Sequence, residues 1–251
     1  MENIGERLIW HYLPFTDIAL PLGGVNAITL LSTLVVMVVL WVLFWLGVRK
    51  SALVPGRGQV AVELFVGAFD GLVAASLELP SREKNRRFLP LIACLFAFLL
   101  LSNFMGFLPS NLFEEPTADI NTTLSLGMMG MAIATFCAIR TKGFGGYVKE
   151  LLGPMWEQEG ATGGALIAGK LSALFFFPLN VIGELAKIVS ISFRLFGNII
   201  GGGIIIVVVS HLIWNTGLPI GLDLFFIFFV GTVQAFVFTM LTLTYIAVAI
   251  K

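Results

Sequence analysis

The chain alternates between long apolar stretches and short polar connections. Apolar residues dominate 27–47, 88–108, 120–139 and 223–250. Each stretch is close to or above the roughly 20 residues that a helix needs to cross the hydrocarbon core of a bilayer. These stretches are predicted to be helices, because the period-two pattern of a membrane barrel is missing and lipid offers no partner for an unpaired backbone group. The pattern predicts an all-α polytopic membrane protein in which 1–251 form a single membrane domain and 1–26 form an N-terminal segment.

A longer apolar run occupies 170–214. It has about twice the length that a bilayer requires, so a helix that rises about 1.5 Å per residue must start along the surface, cross with a strong tilt, or do both. The glycines and proline of 215–221 predict a tight turn after it. Asp223 follows as a candidate N-cap of the last helix.

The segment 58–79 has a different pattern. Polar and small residues recur at steps of three and four along one face, namely Glu63, Gly67, Asp70, Gly71, Ala74 and Glu78. The opposite face is apolar, which is typical of a helix that lies in the membrane interface. An ordinary spanning helix whose acids face partner proteins is the alternative.

Charge along the chain indicates the orientation. Basic residues concentrate in three connections, as Arg49, Lys50, Arg57, Arg82, Lys84, Arg86, Arg87, Arg140, Lys142 and Lys149. The connection after 108 instead carries Glu114, Glu115 and Asp119 and no basic residue. Because basic connections stay in the cytoplasm, the chain is expected to cross five times, with its N-terminus outside and its C-terminus inside. The segment 58–79 has basic residues at both ends and is therefore expected not to cross.

The composition agrees with a protein dissolved in lipid. The chain is 58% hydrophobic and 12% charged with zero net charge, against roughly 25% charged residues in soluble domains. No basic run is interleaved with aromatic residues, so no nucleic-acid partner is expected. Cys94 and Cys137 lie inside spanning segments without the spacing of a metal site or a disulfide framework. The first residues lack the features of a cleavable signal, so the first span is expected to remain in the mature protein.

Arg194 lies in the middle of the long apolar run. An arginine near the centre of a bilayer costs about 2.5–3.5 kcal/mol by insertion scales. Glu184 is ten residues earlier, roughly 15 Å along a helix, which makes it a poor partner. The neutralising anion is therefore expected to belong to another polypeptide.

Arg194 is part of a stripe with steps of four and three. The stripe consists of Asn180, Glu184, Lys187, Ile191, Arg194, Asn198 and Gly201, and all but Ile191 are polar or small. Such a stripe can hydrate one face of a membrane helix. Two alternatives are a simple interfacial ion pair of Glu184 with Lys187, and an Arg194 side chain that reaches a lipid headgroup.

Other polar residues are candidates for the same pathway. Gln234 is the most polar residue inside the last apolar stretch. It could hydrogen bond near Arg194 or simply hold two helices together by a hydrogen bond. His211 and Asp223 lie near the outward end, where interface anchoring and helix capping are the alternatives. Gly197 and Gly201 form a small-xxx-small pair that permits close approach of another helix.

Three motifs resemble a known family. Ser190-Ile-Ser-Phe-Arg194-Leu-Phe-Gly-Asn198, preceded by Glu184 and Lys187, resembles the signature of the a subunit of F-type ATP synthases. Pro116-Thr-Ala-Asp119-Ile-Asn121-Thr-Thr and Gln234-Ala-Phe-Val-Phe agree with that family in order and placement. The resemblance covers the chain from about residue 27 to its end.

This resemblance implies a stator subunit that is not itself catalytic, that binds no cofactor or metal, and that lies in a bacterial inner membrane. It implies two offset half-channels that meet a carboxylate of the rotating c ring beside Arg194. Further partners would be the b subunits of the peripheral stalk and, indirectly, the catalytic head. The polar residues of the ion pathway would include Asn180, Glu184, Asn198 and Gln234.

The sequence departs from the family at two positions of the outward half-channel. Many members carry a polar or titratable residue nine positions after the arginine and seven before the glutamine, where this chain has Gly203 and Ile227. The outward pathway is expected to use other groups, with Asp119, Asn121, His211 and Asp223 as candidates, or a column of water. A sodium-coupled version remains open. So do two hypotheses from other classes: a secondary transporter or channel that binds an anion at Arg194, and a structural anchor.

Overall fold

The computed structural model describes residues 9–10, 25–48, 56–77, 85–107, 115–152, 164–213 and 217–250. Two short strands, β1 (Ile9–Trp10) and β2 (Val25–Asn26), pair antiparallel. All other regular structure in these ranges is helical, which confirms the predicted all-α class. Most of the N-terminal segment 1–26 lies outside the described residues.

Helices follow the strands in the described ranges. They are α1 (Ala27–Val48), α2 (Arg57–Leu77), α3 (Leu89–Phe104), α4 (Ile120–Leu152), α5 (Gly164–Leu212), α6 (Leu218–Leu224) and α7 (Gly231–Ile250). Short 3₁₀ turns occupy Met105–Phe107 and Pro116–Ala118. A π-helical turn, Phe225–Val230, joins α6 to α7, so that 218–250 form one long helix.

Six helical segments of the described chain are long and apolar enough to cross a membrane, which confirms a polytopic membrane protein. By length and composition α2 is one of them. Phe65 packs on Phe44 near the end of α1, and Leu77 lies in one buried cluster with Ile92 at the start of α3 and Ala247 at the end of α7. The interfacial placement of α2 remains a prediction that these contacts favour.

The helix that holds the third predicted span is longer than that span. The sequence predicted a span over 120–139, and α4 continues to Leu152 with a bend at Gly143. Gly143 has φ 76° and ψ 162°, a conformation that glycine adopts without a steric penalty. An ion pair of 3.0 Å between Lys142 Nζ and Glu150 Oε2 connects the two parts of α4 across the bend.

The predicted start of the last helix was wrong. The helix begins at Leu218 after the N-cap residue Gly217, and Asp223 lies within it rather than at its cap. Pro219 in the first turn explains the earlier start, because its φ suits a helix and its missing N–H would have no intrahelical partner there. The predicted turn therefore ends sooner, and residues 214–216 lie outside the described chain.

Two buried clusters hold the helices together. One lies at the end of the bundle where α2 packs and comprises Phe69, Val73, Leu77, Ile92, Ala93, Ala134, Leu243, Ile246 and Ala247. The second is formed by α3, α5 and α7 and comprises Leu95, Leu99, Ile191, Leu195, Ala235 and Phe238. The second cluster anchors only one face of α5, so its other face, which carries Arg194, is left uncovered.

Candidate functional site

Arg194 lies on the uncovered face of α5. Its neighbours Ile191 and Leu195 are 4% and 0% exposed and pack into the second cluster. The Arg194 side chain is exposed, and the adjacent Phe193 is 52% exposed. Within the described part of the chain, no carboxylate pairs with the guanidinium and no group hydrogen bonds to it. The cation therefore lies on the uncovered face of α5 without a counter-ion among the described residues.

Asn198 and Gln234 meet one turn beyond Arg194. The Asn198 Nδ2 group donates a hydrogen bond of 2.7 Å to Gln234 Oε1. Gln234 is only 5% exposed, and the bond joins α5 to α7. The structure thus places the amide of Gln234 close to the arginine turn, as the sequence suggests.

The polar residues on the other side of Arg194 are paired. Lys187 Nζ lies 2.6 Å from Glu184 Oε1, three residues apart on α5, and 5.7 Å from the ring centroid of Tyr245. Two turns before Lys187, Asn180 Nδ2 donates to the Leu151 carbonyl at 2.7 Å. These contacts attach α5 to α7 and to the end of α4.

These paired residues line a cavity of about 620 Å³, here called the inner cavity. Its polar lining comprises Thr135, Tyr147, Glu150, Asn180, Glu184, Lys187, Thr244 and Tyr245. It lies beside the basic segment 140–149 and the C-terminal turns of α7, at the end of the bundle that the charge pattern assigned to the cytoplasm.

A second cavity of about 230 Å³, here called the outer cavity, lies between α3, α5 and the last helix. Its polar and charged lining comprises Asn103, Glu115, Asn198, Asp223 and Gln234. It lies beside the connection that carries acidic and no basic residues, at the opposite end of the bundle.

The two cavities meet α5 on opposite sides of Arg194. Along α5, the lining of the inner cavity ends at Lys187 and the lining of the outer cavity begins at Asn198. These two positions are about 16 Å apart along a helix axis. Arg194 lies between them and lines neither cavity.

Gly203 and Ile227, the two positions at which the sequence departs from the family pattern, both line the outer cavity. Neither side chain can bind or release a proton. Asp223, a sequence candidate, does reach this lining, where it is exposed.

Sequence reasoning missed Glu115 as a site residue. Its half-buried side chain lines the outer cavity, and it fits because Gly106 opposite has no Cβ, which would overlap Glu115 Oε1. Burial, and secondly the negative charge of Asp223, raise the pKa of Glu115 to about 7. One sequence feature could have identified Glu115: it lies in an acidic connection, directly before Pro116-Thr-Ala-Asp119.

The other outward candidates have structural contacts or lie at the surface. Asp119 Oδ1 accepts the backbone N–H of Asn121 at 2.9 Å, at the start of α4. The carbonyl of Asn121 accepts a hydrogen bond from Ser125 Oγ at 2.6 Å. His211 is exposed near the end of α5. None of these three residues belongs to the lining of the inner or the outer cavity.

Comparison with known proteins gives a consistent result. The family described as "ATP synthase A chain" matches residues 29–247. The "ATP synthase subunit a" of Moorella thermoacetica is 36% identical, over 87% of this chain and 88% of its own length. That of Aliarcobacter butzleri is 33% identical, over 89% of each chain. The "ATP synthase subunit a, sodium ion specific" of Propionigenium modestum is 33% identical, over 87% of this chain and 72% of its own.

Proposed function

The chain belongs to the ATP synthase A chain family, and we propose that it carries protons through two half-channels and couples their flow to rotation of a c ring. As a family member it is an ion-translocating stator subunit of the membrane sector and not the catalytic subunit. The half-channels, the role of Arg194 and the ring contact are the parts that we propose.

The observation that carries the proposal is the position of Arg194. Its guanidinium lies on the uncovered face of α5 without a carboxylate partner among the described residues. A charge so placed in hydrocarbon costs several kcal/mol unless an anion or water compensates it. A carboxylate on the neighbouring c ring would supply that anion.

The physical chemistry of this pair explains how proton flow drives rotation. A ring carboxylate that faces lipid must be neutral, because an isolated charge there is prohibitively costly. Beside Arg194 the ionised form is stabilised and the pKa of the carboxyl group falls. The proton is therefore released next to the arginine, and the carboxylate takes up another before it re-enters lipid. Each elementary charge that crosses 100 mV supplies about 2.3 kcal/mol.

The two cavities support separate entry and exit paths. The inner cavity of about 620 Å³ lies at the basic end and the outer cavity of about 230 Å³ at the acidic end. Arg194 stands between them along α5, and a fixed cation opposes a proton that would hop straight through. The proton then crosses only while it is bound to the ring, so it does not leak through without rotation.

The membrane arrangement belongs to the same proposal. We place α2 in the cytoplasmic interface, because its buried residues share one cluster with the start of α3 and the end of α7. The chain then crosses five times, with its N-terminus outside and its C-terminus in the cytoplasm. The b subunits of the peripheral stalk and, indirectly, the catalytic head complete the partners in a bacterial inner membrane.

A sodium-coupled version is the second candidate. One relative that is 33% identical is described as sodium ion specific. Proton pumping that continues at full rate in sodium-depleted vesicles would favour the proton, and transport that requires added sodium would favour the second candidate.

The deciding experiment replaces Arg194 by Ala in the intact ATP synthase and measures ATP-driven acidification of inverted vesicles. We expect no pumping, and the same for Arg194→Lys, because a lysine lacks the planar fork that holds a carboxylate at two points. Arg140→Ala, which removes one positive charge from the basic end, is the control and should pump. Wild-type pumping by Arg194→Ala would refute the proposal, and transport by the isolated chain in liposomes would favour a secondary transporter.

A further inference from the structure

The outer cavity lacks a titratable group at Gly203 and Ile227 but holds two carboxylates, on Glu115 and Asp223. Building on the proposed function, we propose that Glu115 is the group that exchanges protons with the outward solution, and that Asp223 tunes it. The two acids come from different elements, since Glu115 precedes the 3₁₀ turn Pro116–Ala118 and Asp223 lies in α6.

Among the described residues, Glu115 has no structural partner. Its carboxylate is half-buried against Gly106, and no described residue donates a hydrogen bond to it or forms an ion pair with it. A buried carboxylate that serves only the fold is normally paired or hydrogen bonded. Glu115 instead faces the outer cavity, where a mobile ligand such as a proton or a water molecule can reach it.

A separate observation, on Gln234, also indicates that the outer cavity can hold water. Gln234 is 5% exposed and lines the outer cavity, and its Oε1 accepts from Asn198. Its Nε2 group has no hydrogen-bond partner among the residues described. An amide that lines a cavity and has free donors can donate to an oxygen acceptor there, and a cavity of about 230 Å³ is large enough for water. Such water would extend a hydrogen-bonded path from Glu115 to the turn that follows Arg194 on the stripe.

The electrostatics of the cavity suit proton exchange. Glu115 and Asp223 are the two charged side chains among the described residues of the lining. Burial and the charge of Asp223 raise the pKa of Glu115 to about 7. An acid whose pKa is near the ambient pH is an efficient donor and acceptor. Asp223 is exposed and supplies the negative charge that contributes to this shift.

The proposed step balances with a single proton. A proton from the outward solution binds a carboxylate oxygen of Glu115 and forms the neutral acid. It then leaves through water held by Gln234 and Asn198 and protonates the c-ring carboxylate, which restores the Glu115 carboxylate. Only O–H bonds form and break, and no electron or further reactant is needed.

The test measures passive proton flux in vesicles that contain the membrane sector without its catalytic head. A potassium diffusion potential drives the flux, and the pH on the outward side is varied. Wild type should show a midpoint near pH 7, which reports the pKa of about 7 of Glu115. Glu115→Gln should lower the flux at pH 7 about tenfold or more and abolish that midpoint. Glu115→Asp should restore both in part.

Two further variants distinguish proton exchange by Glu115 from a structural role of this residue. Glu63→Gln removes an exposed acid of α2 that does not belong to this lining, and it should behave as wild type. Asp223→Asn removes the neighbouring charge, so the pKa of Glu115 should fall and the midpoint should move to lower pH. This shift would not arise if Glu115 only supported the fold.

Flux and midpoint unchanged in Glu115→Gln would overturn the inference. An equal loss of proton flux in Glu115→Gln and Glu115→Asp, with the pH midpoint of the flux unchanged, would also overturn it. If Glu115→Gln does not assemble, an unchanged midpoint in Asp223→Asn is enough to reject the role of Glu115. The proposed function fails separately, through pumping by Arg194→Ala, and survives if Arg194 is required while Glu115 is not.

Discussion

Asn198 and Gln234 are joined side chain to side chain by a hydrogen bond of 2.7 Å. Asn198 is one turn beyond Arg194 on α5, and Gln234 is buried in α7. Both line the outer cavity. The bond therefore fixes the distance between the two helices at the point where the outer cavity approaches the arginine.

Replacing Gln234 by Leu should weaken ATP-driven proton pumping without preventing assembly. The substitution removes the acceptor for Asn198 and one polar wall of the outer cavity. The loss of packing energy is modest, because cross-helix hydrogen bonds in membranes contribute about 0.6 kcal/mol on average. Vesicle acidification reports pumping, and a native gel reports assembly.

The matched control for Gln234→Leu is Thr232→Val. The Thr232 hydroxyl donates to the Phe228 carbonyl in the same long helix and does not line the outer cavity. This variant should pump normally. An unassembled complex for Gln234→Leu would contradict the placement of Gln234 beside a water-accessible path.

The sequence predicted the spanning helices because their signal is strong and continuous. Lipid removes every alternative to internal backbone hydrogen bonding, so apolar length alone locates α1, α3 and α5. The bend at Gly143 and the early start at Leu218 were missed because they depend on local backbone conformation and on Pro219. Such boundaries are set by one or two residues and carry little periodic signal.

Gly127→Ala should destabilise the subunit. A Cβ at Gly127 would overlap Ser192 Oγ and lie 3.2 Å from Ile191 Cγ2, where α4 and α5 are in contact. Ser192 Oγ donates to the Thr123 carbonyl at 3.1 Å, so it cannot move away without loss of this bond. Overpacking of this kind costs about 1–3 kcal/mol.

The temperature at which the subunit dissociates from the detergent-solubilised complex measures the effect of Gly127→Ala. Gly67→Ala is the control, because a Cβ at Gly67 on α2 would meet nothing within 4 Å. A dissociation temperature equal to that of wild type for Gly127→Ala would show that α4 and α5 are less tightly packed than described.

Gly197→Leu tests whether the uncovered face of α5 contacts the ring. A Cβ at Gly197 meets nothing within 4 Å in the described chain, so the subunit alone should tolerate a larger side chain. Gly197 is three residues from Arg194 and exposed on α5. If a ring helix packs there, the added leucine should reduce pumping and weaken co-purification of the ring.

Gly67→Leu provides the comparison for Gly197→Leu, since it adds the same volume at an open glycine of α2. It should leave pumping and ring association unchanged. Equal behaviour of the two variants would mean that the face of α5 around Arg194 is not the ring contact.

Only part of the candidate site could be predicted from the sequence. The stripe on α5 follows from helical periodicity, so Arg194 and Asn198 could be placed on one face. Glu115 could not be placed, because its approach to Asp223 depends on how a connection folds across the end of the bundle. His211 and Asn121 have suitable chemistry but lie outside both cavities, and residue type does not reveal this.

Asp119 can be assigned either to the ion path or to helix capping, and the structure favours capping. Its Oδ1 accepts the Asn121 N–H at 2.9 Å, and its backbone carbonyl accepts from the Thr123 N–H at 3.1 Å. Asparagine also caps well, whereas alanine at a cap costs about 0.5–2 kcal/mol. Asp119→Asn should therefore keep both pumping and stability, and Asp119→Ala should lower the dissociation temperature of the subunit. Loss of pumping in Asp119→Asn at normal stability would instead assign the Asp119 charge to the outward path, because that variant retains the cap and removes only the ionisable group.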